Sequence, residues 1–507
     1  MKRSTKFAVG ILIGIGFLAL SLLFLNNYLE KNIKTALETN LEKVNAKFEK
    51  VDVKLLDRKA EVIQPAFKIK GKSLTVDTIL VNNIKLWKYI TRKDIIAGDL
   101  NISNPVIRVY NLPEEEKDTA SPKKTSGFNS KILLDKVNIR GGSLKIFEKD
   151  SSRHRLYTKI NTINLKNVRI NSETLKESVP FNYDLLLLEA DSIFYDLDAQ
   201  HEISARNLHI DDNMVLVKDF RIIPKYSRSG HQKTIPVEKD RYDLKIDSIS
   251  MNDLSWTLEN DTLNIRNSFT GITGAQFNIY RDKLKPDDTS YKPMYSSMIR
   301  KLPVKLDVDS IQVKKAYIRY EEKMHENREP GVVEFSNLYA SITNLTNIGL
   351  GREDFPKTNI DVNAHFMKIA PLQVNIQFDI SNPYDRFQVS GDMGRLPAEP
   401  MNKFMKPAMN ILAEGEILNM YFNFAGNNNK AEGDMRLEYN DFKVEVLRKD
   451  GKRKNKIISA LANLLVKNKA LDKKAEYKDI SYTRDKTRSF WNYFWNLIKS
   501  GALKTFL

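Results

Sequence analysis

Five segments of this chain place apolar residues at the same uncommon spacing, i, i+2, i+5 and i+7. They are Leu74, Val76, Ile79 and Val81; Ile132, Leu134, Val137 and Ile139; Leu188, Ala190, Ile193 and Tyr195; Leu244, Ile246, Ile249 and Met251; and Leu306, Val308, Ile311 and Val313. A regular strand turns successive side chains to opposite faces, so an apolar face needs strict alternation. Here the phase slips by one residue, and an Asp stands at each slip. These are Asp77, Asp135, Asp191, Asp247 and Asp309, separated by 58, 56, 56 and 62 residues. Recurrence at such a period marks a diverged repeat. A one-residue slip sends half of an apolar set to the wrong face. A β-bulge at the Asp step would return the set to one face and bend the strand. Two other readings are open: strands buried on both faces, and five acidic ligand sites.

The same bend in every copy predicts a gutter, apolar inside and polar outside. The flanking sequence agrees. Segments such as NTINLKNVRI, ISARNLHI and LQVNIQFDI alternate with period two between Asn, Asp, Gly and Pro clusters. This is the pattern of many short antiparallel strands. Strands every 8–12 residues over this length give roughly 25 of them, or an unbent sheet of about 120 Å at ~4.8 Å per strand. Such a gutter cannot fill itself as a small barrel does. An apolar face left in water costs about 25 cal/mol per Å², so it implies a guest, a lid or another chain.

The ends of the chain differ from this pattern. MKRSTK precedes 19 uncharged residues, Phe7–Leu25. At 1.5 Å per residue they span roughly 29 Å, close to the ~30 Å hydrocarbon core of a bilayer. A cleaved signal peptide would carry a shorter apolar run and a small-residue site, but Asn26-Asn27-Tyr28-Leu29-Glu30 follows. The expectation is a one-pass anchor. Lys2, Arg3 and Lys6 keep the N-terminus in the cytoplasm, and the remaining chain is exported. Leu29, Ile33, Leu37, Leu41, Val44 and Phe48 then form a helical stripe. It suits packing on the first strands, with a partner-binding coiled coil as the other reading.

At the far end, Lys456–Leu471 and Thr487–Leu507 read as helices. Formal net charge is +17, of which +9 falls from Lys430 to Leu507 (19 Lys+Arg, 10 Asp+Glu). Phe490, Trp491, Tyr493, Phe494 and Trp495 suit a membrane interface or a partner, with Arg484, Lys486, Arg488, Lys499 and Lys504 as attraction for anionic head groups. The other reading is a cap on the end of the repeat array.

The expected organisation is therefore a tail (1–6), an anchor (7–25) and an amphipathic helix (26–50). A repeating β-groove follows over 51–450, with repeats near 74, 132, 188, 244 and 306 and then a further C-terminal β segment. A helical cap or docking segment occupies 456–507. The fold class is mainly β: an N-terminal transmembrane helix, an elongated curved antiparallel sheet and C-terminal helices.

No enzyme is indicated. There is no Cys, which removes disulfides, thiolate metal sites and Cys nucleophiles. The six His (154, 201, 209, 231, 325, 365) are scattered without a metal motif. Gly71-Lys72-Ser73 lacks the first Gly of a phosphate loop, Ala66 standing there, and precedes a strand. Catalytic residues, cofactor and metal are expected to be absent.

With DLNISNPVIRVY and the late stretch ISNPYDRFQVSGDMGRLPAEPMNKFMKPAMNILAEGEILNMYFNFAG, the chain resembles the AsmA-like proteins of double-membrane bacteria. The likeness runs over essentially the whole chain as a loose pattern. It implies an inner-membrane, periplasmic lipid-binding groove taking part in phospholipid transport toward the outer membrane and in outer-membrane homeostasis. The five apolar sets would line the groove. Its partners would be phospholipids, the inner membrane and, through the C-terminus, the outer membrane or one of its proteins, but not nucleic acid. The alternative is an envelope assembly factor or scaffold whose sheet edge receives client strands.

Overall fold

A computed structural model gives the fold of residues 45–54, 56–69, 71–92, 94–110, 131–148, 153–174, 177, 179–259, 262–448 and 477–506. The tail (1–6), the expected anchor (7–25) and the helix expected over Lys456–Leu471 lie outside the described residues. Among those described, no helix is long and apolar enough to cross a membrane. They hold 27 strands and form two compact units. The first is drawn from residues 1–198, 202–219 and 258–261, the second from 199–201, 220–257 and 262–507.

In the first unit, β1 (Asn45–Lys47), β2 (Lys50–Lys54), β3 (Lys59–Ile63), β4 (Ala66–Ile69), β5 (Lys72–Thr75) and β6 (Thr78–Asn82) precede helix α1 (Leu86–Arg92). Then come β7 (Ile95–Ser103), β8 (Val106–Tyr110), β9 (Ile132–Arg140), β10 (Ser143–Phe147), β11 (His154–Ile170), β12 (Leu185–Asp196) and β13 (His201–Asp211). Half-ladders β2-β3-β6-β7-β9 and β1-β4-β5-β8-β10 both end on the 17-residue β11, and β12 and β13 follow on its other edge.

The half-ladders are two halves of the same strands. β3 and β4 are one strand broken at Gln64-Pro65; β5 and β6 break at Val76-Asp77, β7 and β8 at Asn104-Pro105, β9 and β10 at Gly141-Gly142. The breaks are in line. Backbone bonds join them strand to strand: Gln64 N–H to Asp77 (2.8 Å), Asp77 N–H to Ser103 (3.0 Å), Asn104 N–H to Arg140 (2.8 Å) and Gly141 N–H to Asn161 (2.8 Å).

Asp77 stands at one of these breaks, whereas Asp135 lies within the unbroken β9; each repeat Asp has a left-handed residue across from it. The flanking registers place Asn104 (φ 49°) opposite Asp77, Asn167 (φ 52°) opposite Asp135 and Asn207 (φ 49°) opposite Asp191. In the second unit, Gly274 (φ 70°) lies opposite Asp247 and Asn344 (φ 58°) opposite Asp309. Gly has no Cβ to clash at positive φ, and Asn tolerates it better than most residues. Asn104 also donates its amide to Asp77 (2.7 Å).

The sequence suggested an extra, bulged residue at each Asp. Such a slip occurs at Asp191, where Lys159 pairs with Ser192 and Ile160 with Ala190. At Asp135 the neighbours slip together instead. Ile95, Ala97, Leu100 and Ile102 on β7 pair with Ile132, Leu134, Val137 and Ile139, which pair with Ile170, Val168, Leu165 and Ile163 on β11. All three strands share the spacing, so no residue is left over.

In the second unit, β15 (Asp240–Asn252) pairs with both β17 (Thr262–Thr273) and β18 (Gln276–Asp282), which pair with β19 (Lys305–Lys323). The ladder continues through β20 (Gly331–Thr346), β21 (Thr358–Phe366), β22 (Ala370–Phe378), β23 (Phe387–Met393), β25 (Ile411–Gly426), β26 (Lys430–Val446) and β27 (Lys478–Thr483). Strands β14 (Met214–Pro224), β16 (Ser255–Glu259) and β24 (Leu396–Pro397) and helices α2 (Arg228–Thr234), α3 (Tyr295–Arg300), α4 (Ala398–Met409) and α5 (Phe490–Phe506) are the remaining elements.

Two expectations are corrected. The sheets are mixed, not antiparallel: β7–β9, β8–β10, β17–β19 and β18–β19 run parallel. A parallel return needs a crossover connection. The connection at 283–304, with α3 inside it, supplies one. The helix expected over 26–50 is not helix at its end, because residues 45–47 pair with β4 and 50–54 with β3. Ladder hydrogen bonds to distant strands outweigh a local helical stripe, and Phe48 of that stripe is exposed.

A Cβ added at Gly274 would stand 2.1 Å from the Asp247 carboxylate, at a φ that side chains avoid. Gly274→Ala should therefore cost about 1–3 kcal/mol, read as a lower urea midpoint for loss of β-sheet circular dichroism.

Candidate functional site

Cross-strand partners share a face, so the registers trace the apolar surface from strand to strand. In the first unit, the first two repeat sets are sealed. Leu74, Val76, Ile79 and Val81 are at most 4% exposed, and Ile132, Leu134, Val137 and Ile139 at most 3%. One core takes side chains from both sides of the line of breaks, among them Val62, Leu100 and Val137 on one side and Phe67, Ile107 and Ile146 on the other. The bend closes this part of the sheet on itself. The segment after β11 adds Phe181, with Val179 and Tyr183 packed on the cluster.

The third set lies on the same face but is not sealed. Ala190 is 3% exposed, while Leu188, Ile193 and Tyr195 are half-buried. Their partners on β13, Ile210, Ala205 and Ile203, run the face onward, and only Ala205 is buried. Leu185 and Leu187 point to the other side and are also half-buried, so β12 shows leucine on both faces.

The fourth and fifth sets, in the second unit, repeat that state. Ile246 (7%) and Val308 (6%) are buried; Leu244, Ile249, Met251, Leu306, Ile311 and Val313 are half-buried. They belong to longer cross-strand rows. Ile249, Ile272, Val313, Ala340 and Val362 form one. Leu244, Phe277, Ile318, Phe335 and Phe366 form another, on the far side of the break at Asp247 and Gly274. Each side chain in both rows is half-buried. Between the rows, a small cluster of Ala316, Leu338 and Ala364 makes the floor. Alanine is what fits where two walls converge.

From β22 onward the same face is covered. Phe378, Phe387, Phe422 and Phe424 are at most 4% exposed beneath α5. The helical period turns Phe490, Tyr493 and Leu497 inward, each at most 2% exposed. Phe490 meets Phe387 and Phe378 at 5.2 and 5.4 Å, Tyr493 meets Phe387 at 5.8 Å, and Phe494 meets Phe422 at 5.5 Å. Three of the five docking candidates are thus engaged in packing. Trp491 (54%) and Trp495 (43%) are exposed, with Leu503 on the same four-residue stripe.

The basic residues beside them divide in the same way. Arg484 is 5% exposed and donates to the Lys292 carbonyl (2.6 Å). Arg488 pairs with Glu238 (2.6 Å) and Asp287. Lys504 donates to the Asp479 carbonyl (2.8 Å), while Lys486 and Lys499 remain exposed. Sequence reasoning missed that Arg484 and Arg488 are internal clamps, because their partners lie about 200 residues away.

It also missed the role of α4, whose Asn402 exchanges two hydrogen bonds with the Ala413 backbone (2.8 Å each) and holds the helix on β25. Among the described residues, no group of three or more His, Asp or Glu could hold a metal ion. The sequence matches no protein-family model and no curated protein.

Burial pushes the Tyr493 pKa upward, and its hydroxyl has no hydrogen-bond partner among the described residues. A buried hydroxyl without a partner is a net cost. Tyr493→Phe should keep or raise stability, by up to about 1 kcal/mol, whereas Phe490→Ala should cost about 3–5 kcal/mol. Urea unfolding followed by near-UV circular dichroism separates the two.

Proposed function

We propose that the half-buried apolar faces of this protein hold the acyl chains of phospholipids, in an inner-membrane-anchored protein that moves lipid across the periplasm. One observation carries this reading. The repeat residues are sealed in the first two sets, whereas in each of the next three one is buried and three are half-buried. Removing apolar surface from water is worth about 0.8 kcal/mol per CH₂, so a chain laid along such rows gains affinity without covalent chemistry. Tails would lie against Ile249, Val313 and their row partners, with the head group in water at the seam. Trp491 and Trp495 would rest at a membrane interface, where indole rings are favoured.

Full-length protein purified in mild detergent should release phospholipid on denaturation, measured by mass spectrometry at one or more per chain. Ile249→Asp and Val313→Asp should lower that yield severalfold with the protein still folded. Lys314→Asp, on the polar face, should not. Lipid-free protein that copurifies with outer-membrane barrel proteins would overturn the reading in favour of an assembly scaffold. In a separate measurement, Trp491→Ala with Trp495→Ala should abolish the blue shift of tryptophan fluorescence on adding vesicles rich in phosphatidylglycerol.

A further inference from the structure

The polar side of the second unit carries a feature that an apolar groove does not use. Behind the sheet of β21, β22, β23, β25, β26 and β27 lies an open trough of about 800 Å³. Its floor is a cross-strand row in which Asp361, Asn375, Ser390, Asn423, Asp434 and Asp479 are successive register partners. A second row adds Gln373, Asp392 and Tyr421 beside it. No Lys or Arg is among the lining residues, although Arg436, the register partner of Tyr421, stands at one end.

We propose that this trough binds a linear oligosaccharide of neutral or amino-bearing sugars. Amides and carboxylates at fixed spacing suit vicinal hydroxyls, since an amide both donates and accepts and a carboxylate accepts twice. Adjacent strands lie ~4.8 Å apart, near the repeat of a linear pyranose chain laid across them. Asp361 already accepts from Asn375 (2.5 Å), but Asp392 and Asp434 have no ion-pair partner among the described residues.

At one end stand Tyr421 (39% exposed) and Tyr477 (60%), with the Arg436 guanidinium over each ring at 6.0 Å from its centre. Flat aromatic faces take the C–H side of a sugar ring. Four aspartates in the lining select against phosphate, acidic glycans and nucleic acid.

The test is calorimetric titration of full-length protein in mild detergent with cellohexaose, chitohexaose, its deacetylated form, a hexagalacturonate and a hexalysine peptide. At least one of the neutral or amino hexasaccharides should bind. Tyr477→Ala and Asn423→Ala should each weaken it at least tenfold with an unchanged urea midpoint, while Tyr384→Ala, exposed outside the trough, should leave it intact. Binding by no sugar, preference for the galacturonate, binding by hexalysine alone, or sugar binding indifferent to both variants would each overturn the proposal.

Discussion

The architecture of each unit depends on a backbone event at the Asp of every repeat. Across from each Asp, one residue adopts a left-handed conformation that side chains ordinarily avoid. That turn of the chain is what lets apolar residues on both sides of the break share a face. Without it, alternation would carry half of them into water on the opposite side. The local strain is small beside the apolar surface it keeps together. It is also spread over residue types that bear it: Asn at four positions and Gly at the fifth.

What lies over the apolar face then decides its character. In the first unit the bend folds the sheet onto itself, and Phe181 and its neighbours complete the seal. In the second unit, a helix with a phenylalanine and tyrosine face does the same work for β22 to β27. Between these extremes are strands whose inner residues touch one another and little else. Among the described residues no segment seals them as Phe181 and α5 seal the others, and the spacing of their own residues does not differ from that of the sealed copies.

This explains which parts were legible in the sequence. The spacing i, i+2, i+5, i+7 identified strands and the shared face, because both follow from local backbone geometry, but it did not give the level of the breaks, since Asp135 lies in mid-strand. It could not separate Val137, fully buried, from Ile193, half-buried, since the difference lies in chain far away. The same limit applies to the C-terminal aromatics. A run of Phe, Trp and Tyr does not say which rings face inward until the helix has a sheet to lie on. Arg484 and Arg488 read as surface charge for the same reason, although their bonds to Lys292 and Glu238 draw them inward. The parallel pairings were illegible too, because alternation does not reveal strand direction. β7 and β11 carry the spacing as plainly as β9, but the Asp of β7 (Asp99) stands one residue later in the slip and β11 has Lys166-Asn167 there.

The alignment of the breaks in the first unit has a mechanical consequence. Each strand bears its weak point at the same level, and the ladders on either side keep their hydrogen bonds up to it. A sheet scored along one line behaves as a crease between two stiff panels. Changing the angle between panels would disturb only the few backbone groups on that line. A crease of this kind would let the angle between the panels differ from one copy of the motif to another without rebuilding either panel.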